Sequence, residues 1–152
     1  MERMDGVNLR PATLADLPLL LRYRLAMARE MGCTDAAALD RMIAALEPYL
    51  RNAIPEGRWH AWIADPGGCG AVEIVRWVPG AADPTPRRAW MHSIYVEPQF
   101  RRRGIGRRLT QTMAAWCREQ GFRCVYLHAS EQGRPLYRSL GFVPSSEMRL
   151  DL

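Results

Sequence analysis

Apolar positions recur along this chain with a period that changes from segment to segment. Val7-Asn8-Leu9-Arg10 reads as a short first strand. Thr13-Leu14-Ala15-Asp16 has the form of a capping box, and it leads into an apolar set at Leu17, Leu20, Leu21 and Leu25. That spacing predicts a helix ending near Gly32. A second amphipathic helix is predicted from Asp35 to about Leu50, carried by Leu39, Met42, Ile43, Leu46 and Tyr49, before Pro55-Glu56-Gly57 breaks it.

From Arg58 the pattern becomes that of strands. Trp59 to Ala64, a turn at Pro66-Gly67-Gly68 and Ala71 to Val78 predict an antiparallel hairpin. Pro79 to Arg88 reads as a loop, and Ala89 to Val96 as a third strand that Pro98 stops. The helical period returns from Gly104 to about Gln120 on Ile105, Leu109, Met113, Trp116 and Cys117. Gly121 ends that helix, and Phe122 to Ala129 is β-branched and aromatic. A strand, crossover helix and strand in this order should be parallel and right-handed. The tail predicts a short helix from about Gly133 to Leu140 and a closing hairpin of Gly141-Phe142-Val143 with Glu147-Met148-Arg149-Leu150.

Composition narrows the class. The 152 residues, 48% apolar and 24% charged, fit a single domain over residues 1–152 with one packed core. No apolar run approaches the ~18–20 residues that cross a bilayer, and Met1-Glu2-Arg3-Met4-Asp5-Gly6 is not followed by a signal-like segment. A cytoplasmic protein without a membrane partner is expected. Cys33, Cys69, Cys117 and Cys124 form no Cys-x-x-Cys pair, so they read as reduced structural thiols and no metal is expected. The net charge of +5 raises a nucleic-acid reading. The excess, however, is densest at Arg101-Arg102-Arg103 and Arg107-Arg108, with no basic stripe interleaved with aromatics, and this favours a small anionic ligand.

Tyr95 to Leu109 is the informative segment, since a strand there feeds a glycine-interrupted turn and then a helix. The first turn of a helix presents N–H groups without intrahelical partners, and its dipole adds roughly half a positive charge. Gly104 and Gly106 remove the Cβ atoms that would hold a phosphate away from those amides. After Gly104-Ile105-Gly106 come Arg107-Arg108-Leu109, so the third glycine of the dinucleotide fingerprint is missing, and no Gly-Lys-Ser/Thr ending makes a P-loop. The plain alternative is a solvated, arginine-rich helix start.

Arg101-Arg102-Arg103-Gly104-Ile105-Gly106 resembles the Arg/Gln-x-x-Gly-x-Gly/Ala signature of the GCN5-related N-acetyltransferase (GNAT) superfamily. Leu136-Tyr137-Arg138-Ser139-Leu140-Gly141-Phe142 resembles that superfamily's Leu-Tyr-x-x-x-Gly-Phe segment. The order of elements agrees over nearly the whole chain. The resemblance implies an α/β (α+β) fold: a central mixed, mostly antiparallel sheet of about six to seven strands, flanked by about four helices, with a parallel strand-helix-strand unit at a cleft for acetyl-CoA. It further implies that the strands from Met91 to Val96 and from Arg123 to Ala129 diverge. The pantetheine arm would lie between them on backbone groups of Ile94, Tyr95 and Val96. The pyrophosphate would take amides from Arg102 through Arg103, Gly104, Ile105 and Gly106 to Arg107, with Arg101 among the neutralising side chains. Ser130 and Gly133 stand where many relatives carry Asn.

Acetyl transfer requires a neutral amine, a polarised thioester carbonyl and a proton for the departing thiolate. Tyr137 matches the position whose hydroxyl faces the sulfur and is the expected general acid; a packing tyrosine is the plain reading. Glu73 and His92, on meander strands, are the candidate bases, and Glu30 is a candidate for attracting a cationic amine. A main-chain N–H around Tyr95 would polarise the carbonyl. Ser93 and Ser130 lack the Gly-x-Ser-x-Gly elbow, so direct transfer in a ternary complex is expected in place of an acyl-enzyme. The acceptor could be a small-molecule amine, a protein N-terminus or a lysine, and a homodimer would suit the fold. Two other classes compete: a CoA- or acyl-CoA-binding regulatory module without catalysis, and a nucleic-acid-binding domain.

Overall fold

Runs of consecutively buried positions on the central strands give this chain a sheet with two covered faces. The computed structural model describes residues 6–152, so Met1 to Asp5, used above to argue against a leader, lie outside the described residues. Strands β1 (Asn8–Pro11), β2 (Trp59–Asp65), β3 (Gly68–Arg76), β4 (Arg87–Val96) and β5 (Val125–Leu127) lie in the order β1-β2-β3-β4-β5. The first three pairings are antiparallel and β5 joins β4 in parallel. The helices are α1 (Leu17–Glu30), α2 (Ala36–Ala53), α3 (Ile105–Glu119) and α4 (Arg134–Ser139).

One face carries Trp59, Ala61, Cys69, Ala71 and Tyr95 against Leu17, Leu20 and Tyr23 of α1 and Leu50 of α2. The other carries Trp62, Ala64, Val72, Ala89 and Met91 against Ile105, Leu109, Met113 and Cys117 of α3. Side chains of this size contribute about 1.5–3 kcal/mol each when fully buried. Between two covered faces β2 has both of its sides buried, and Trp59 to Ala64 therefore reads as a nearly unbroken apolar run.

The boundaries differ from the sequence expectation in instructive places. The stretch assigned to a turn yields its last residue to β3, because Gly68 pairs with both Ala64 and Val96. At its other end β3 stops at Arg76, leaving Trp77 and Val78 exposed instead of in the sheet. The closing hairpin does not form, and the described sheet has five strands where six to seven were expected. Phe142 packs on the α3 side, but Val143, Met148 and Leu150 project into solvent with no strand beside them. An alternating pattern makes a strand only where a partner edge exists, and β5, at three residues, offers little edge.

Polar groups set where the helices begin. Asp35 accepts the Ala37 and Ala38 N–H groups at 3.0 and 3.2 Å and starts α2. Asp16 accepts the Thr13 N–H at 2.8 Å and two guanidinium N–H groups of Arg10 at 2.9 and 2.7 Å, tying β1 to the start of α1. The Arg10 hydrogen bonds, with those of Thr13, hold the Asp16 carboxyl down to about 2. Since this folded value lies below the unfolded one, the stabilisation is present above about pH 4 and is lost as pH falls through about 2. Replacing Asp16 by Asn should cost about 1 kcal/mol in urea unfolding at neutral pH, a figure reduced for the solvent around Arg10. The gap between variant and wild type should close as pH drops below about 4.

Candidate functional site

Parallel pairing between β4 and β5 is brief: Ala89 faces Val125, Trp90 faces Tyr126 and Met91 faces Leu127, and there the ladder ends. From His92 to Val96, β4 continues beside β3 alone, so the two parallel strands part. The register explains the change of direction. Cys69 pairs with Tyr95 but Ala71 pairs with His92, which puts one extra residue on β4. A bulge of this kind bends its strand and strengthens the local twist. Ser93 within it has φ 54°, and the Cys69 thiol donates to its carbonyl at 3.3 Å. Beyond Met91 and Leu127 the two strands no longer pair, which forms a fork whose β4 arm is bulged.

At the end of that arm a 3-10 turn (Pro98–Phe100) leads through residues 101–104 into α3. Arg102 and Gly104 have φ of 63° and 78°, and Gly104 is the residue immediately before the helix. The left-handed conformation is why glycine suits position 104. Arg108 is the first residue of α3 to donate to a carbonyl of this turn, that of Gly104 at 3.0 Å, so the amides of Ile105, Gly106 and Arg107 precede the helical ladder. Gly106 lies against Leu136 of α4 with room for little more than a Cβ. The Ile105 side chain is buried under α3 and only its backbone belongs to the loop.

The arginines have separate duties. Arg101 turns back from the loop: its Nε donates to the Val96 carbonyl at 2.8 Å, and one terminal nitrogen meets both Glu30 oxygens at 2.6 and 2.7 Å. Its guanidinium also lies 5.7 Å from the centre of the Tyr95 ring. Glu30, expected to attract an amine, is therefore engaged by Arg101 at the C-terminal end of α1. Arg107 donates to the Ser139 hydroxyl at 2.7 Å, and Arg103 lies over the Phe100 ring. Arg102 is exposed.

Across the fork, Ser130 and Gly133 shape the start of α4. The Ser130 hydroxyl accepts the Gly133 N–H at 3.1 Å, and its carbonyl accepts the Arg134 N–H at 3.0 Å. A Cβ on Gly133 would lie 2.9 Å from the Tyr137 ring, so glycine lets that ring close over the loop. Tyr137 also packs edge-on to Phe142, and burial raises its pKa. Among the described residues its hydroxyl has no hydrogen-bond partner.

On the α1/α2 face, next to the bulge, a cavity of about 250 Å³ is walled by Leu20 and Arg24 of α1, Leu46 and Tyr49 of α2, Trp59, Glu73, His92 and Ser93. The structure thus brings Glu73 and His92 to one cavity. Burial pushes the Glu73 carboxyl up, and the Tyr49 hydroxyl donates to it. His92 has the opposite character. Trp59 Nε1–H donates to its Nε2 at 3.1 Å, which leaves the ring proton on Nδ1, 3.0 Å from the Ser93 hydroxyl. Burial, aided by the charge of Arg24, lowers the His92 pKa to about 4. At neutral pH the 3.7 Å approach of His92 to Glu73 joins a neutral ring to a carboxylate and is no salt bridge.

Sequence reasoning missed Arg24 and Tyr49. Arg24 did leave a signal: it falls seven residues after Leu17 and four after Leu20, within the apolar stripe of α1. The contact of His128 with Glu147, at 2.8 and 2.9 Å, and with the Trp90 ring on the β5 side of the fork was likewise unforeseen. Only the tail's path could reveal it.

Comparison with known proteins agrees with this architecture. The sequence model of the Acetyltransferase (GNAT) family matches residues 39–142. A GCN5-related N-acetyltransferase from Ralstonia eutropha JMP134 is 32% identical, with a TM-score of 0.89 over 97% of this chain and 99% of that one. The crystal structure of a predicted acetyltransferase with acetyl-CoA from Clostridium acetobutylicum is 25% identical, with a TM-score of 0.86 over 96% and 95%. Glucosamine-6-phosphate N-acetyltransferase from Arabidopsis thaliana, at 14% identity and a TM-score of 0.64 over 97% and 99%, shares the fold. No curated protein sequence matches the chain.

The cavity's electrostatics can be read directly. Nitrogen NMR of His92 should show Nδ1 protonated and Nε2 bare down to about pH 5, with titration near pH 4. Because this value lies below the ordinary 6.5, protonation of the unfolded chain should erode stability as pH falls from 6.5 towards 4. A His92 resonance titrating in the ordinary range would contradict the buried neutral ring.

Proposed function

The chain belongs to the GNAT acetyltransferase family, and from its forked sheet we propose that it moves the acetyl group of acetyl-CoA to a primary amine by direct attack in a ternary complex. The observation that carries this reading is the fork itself. Its β4 arm leads through the 3-10 turn to a left-handed Gly104 and the first-turn amides of α3, and its open interior leaves β4 backbone groups without a strand partner. The residues present suit a thioester on a long phosphorylated arm. Amides from Arg102 to Arg107 would take the pyrophosphate, with Arg102 and Arg103 as the nearest free charges, while Ile94, Tyr95 and Val96 would pair with the arm. Ser130 and Gly133 serve this site by setting the loop under Tyr137. Arg101 serves it by fixing the end of β4.

The donor supplies an acetyl group activated as a thioester. The amine nitrogen bonds to the carbonyl carbon, the carbon–sulfur bond breaks, and one proton must leave nitrogen while one reaches sulfur. A main-chain N–H at the bulge would steady the negative charge on the carbonyl oxygen. Tyr137 gives its proton to the departing thiolate, a role favoured by its unpartnered hydroxyl and by burial that keeps the phenol protonated. Glu73 takes the amine proton. Burial makes it a stronger base than an ordinary carboxylate, whereas His92 already accepts the Trp59 N–H and resists protonation. We place the reaction in the cytoplasm, in keeping with four unpaired thiols.

A non-catalytic CoA-binding module would need neither Tyr137 at the fork nor a carboxylate in the adjoining cavity. A nucleic-acid role is disfavoured because Arg101 and Arg107 are already engaged by Glu30 and Ser139 of this chain. Calorimetric titration with acetyl-CoA should give saturable binding that Gly104→Glu and Gly106→Glu both weaken at least tenfold; unchanged affinity in the two variants would remove the loop from the donor site. Tyr137→Phe and Glu73→Gln should each keep donor affinity and lower kcat by about 10²–10⁴. If either turns over at the wild-type rate across the pH range, that residue is not the acid or base assigned to it.

A further inference from the structure

Arg24 is a cation in an unusual position. It lies on the stripe of α1 that carries Leu17 and Leu20 into the core, is half-buried, and lines the cavity beside the β4 bulge. Among the described residues one of its five N–H donors is engaged, on the Ser93 hydroxyl at 3.1 Å. Among the described residues no carboxylate pairs with it, although the neighbouring arginine Arg22 reaches Glu97 and Arg101 grips Glu30. Its field is felt around it, adding to burial in lowering the His92 pKa. A half-buried guanidinium without a counter-ion is costly unless something else supplies the charge.

The cavity's other charge is Glu73, which Arg58 approaches at 3.9 Å from outside the cavity lining, and His92 stands between Glu73 and Arg24. From Arg24 the chain of contacts runs to the Ser93 hydroxyl, to Nδ1 of His92, and from its Nε2 edge to Glu73. A neutral ring and a hydroxyl therefore divide a positive end from a negative end. Leu20, Leu46 and Trp59 supply apolar wall between them. At about 250 Å³ the space suits a group of roughly amino-acid size.

We infer that the acceptor is an amine that also carries a carboxylate, a free amino acid or a close analogue, whose carboxylate pairs with Arg24 while its amine faces the bulge and Glu73. The inference rests on the acetyl-transfer reading above and adds the substrate class. A planar carboxylate matches the fork of guanidinium donors left open by the single bond to Ser93. With the carboxylate fixed there, the amino nitrogen of an α-amino acid lies two bonds from the anchored carboxylate carbon, beside the bulged arm where the thioester carbonyl is expected. The side chain then extends along Leu46 and Trp59.

Acetyl-CoA and a panel of the standard α-amino acids, each set against its decarboxylated amine and its carboxamide, decide the matter through release of free CoA. The expected result is at least one amino acid whose kcat/KM exceeds that of its decarboxylated amine and its amide by tenfold or more. In Arg24→Gln that ratio should collapse towards one, chiefly through KM, and Arg24→Lys should retain part of it. Faster reaction with amines lacking a carboxylate, or an unchanged ratio in Arg24→Gln, overturns the inference while leaving acetyl transfer standing. An equal fall in kcat for all acceptors in Arg24→Gln also overturns it, since the guanidinium would then be serving the reacting carbonyl. Failure of every acceptor to release CoA from a protein that binds acetyl-CoA overturns both readings.

Discussion

The parting of β4 from β5 after Met91 and Leu127 is the constraint on which the other features depend. Two parallel strands that stayed paired would close the sheet and leave no backbone donors to spare. Here an extra residue on β4, opposite Cys69 and Ala71, bends that strand away while its pairing with β3 continues. The same bulge places Ser93 where its hydroxyl meets both Arg24 and His92. One local irregularity thus opens the fork and positions the polar side of the neighbouring cavity.

A bent arm needs support, and α1 provides it. Tyr23 packs its ring at a tilt against Tyr95 and donates to Glu97 at 2.7 Å, and Glu30 at the end of α1 takes the Arg101 guanidinium, whose Nε holds the Val96 carbonyl. These contacts secure the last residues of β4 and the first of the glycine loop from one helix. The first arginine of the loop is therefore best understood as a strut, and the N–H groups that the segment leaves open are those of the first turn of α3 after Gly104. An exposed Arg101 side chain would leave the loop's position to a short turn alone.

Much of this was legible in the sequence, because the periods of α1, α2 and α3 and of the meander follow directly from which faces are buried. The glycine loop could be read because αL backbone and close approach both demand glycine, so the residue type reports the geometry. The closing hairpin misled because alternation at Val143, Met148 and Leu150 carries no information on whether a partner edge exists. Glu30 misled for a related reason: a lone carboxylate near a helix end does not announce that an arginine 71 residues later will reach it. Arg24 was visible as a charge in an apolar stripe, but its meaning depended on the bulge, which pairing register reveals and composition does not.

Glu73 and His92 show why a residue list cannot settle the chemistry of such a cavity. Both sit on adjacent strands, and ordinary pKa values would make the imidazole the better base near neutrality. Burial reverses the order by acting against the charged form of each, raising the carboxyl and lowering the imidazole. Trp59 then commits the His92 lone pair to an N–H, so the ring becomes a neutral divider with a fixed tautomer. A divider of that kind keeps the Arg24 and Glu73 charges from collapsing onto each other. This separation leaves Arg24 without a carboxylate among the described residues, while Glu73 keeps the Tyr49 hydroxyl and, at 3.9 Å, the Arg58 guanidinium as its neighbours.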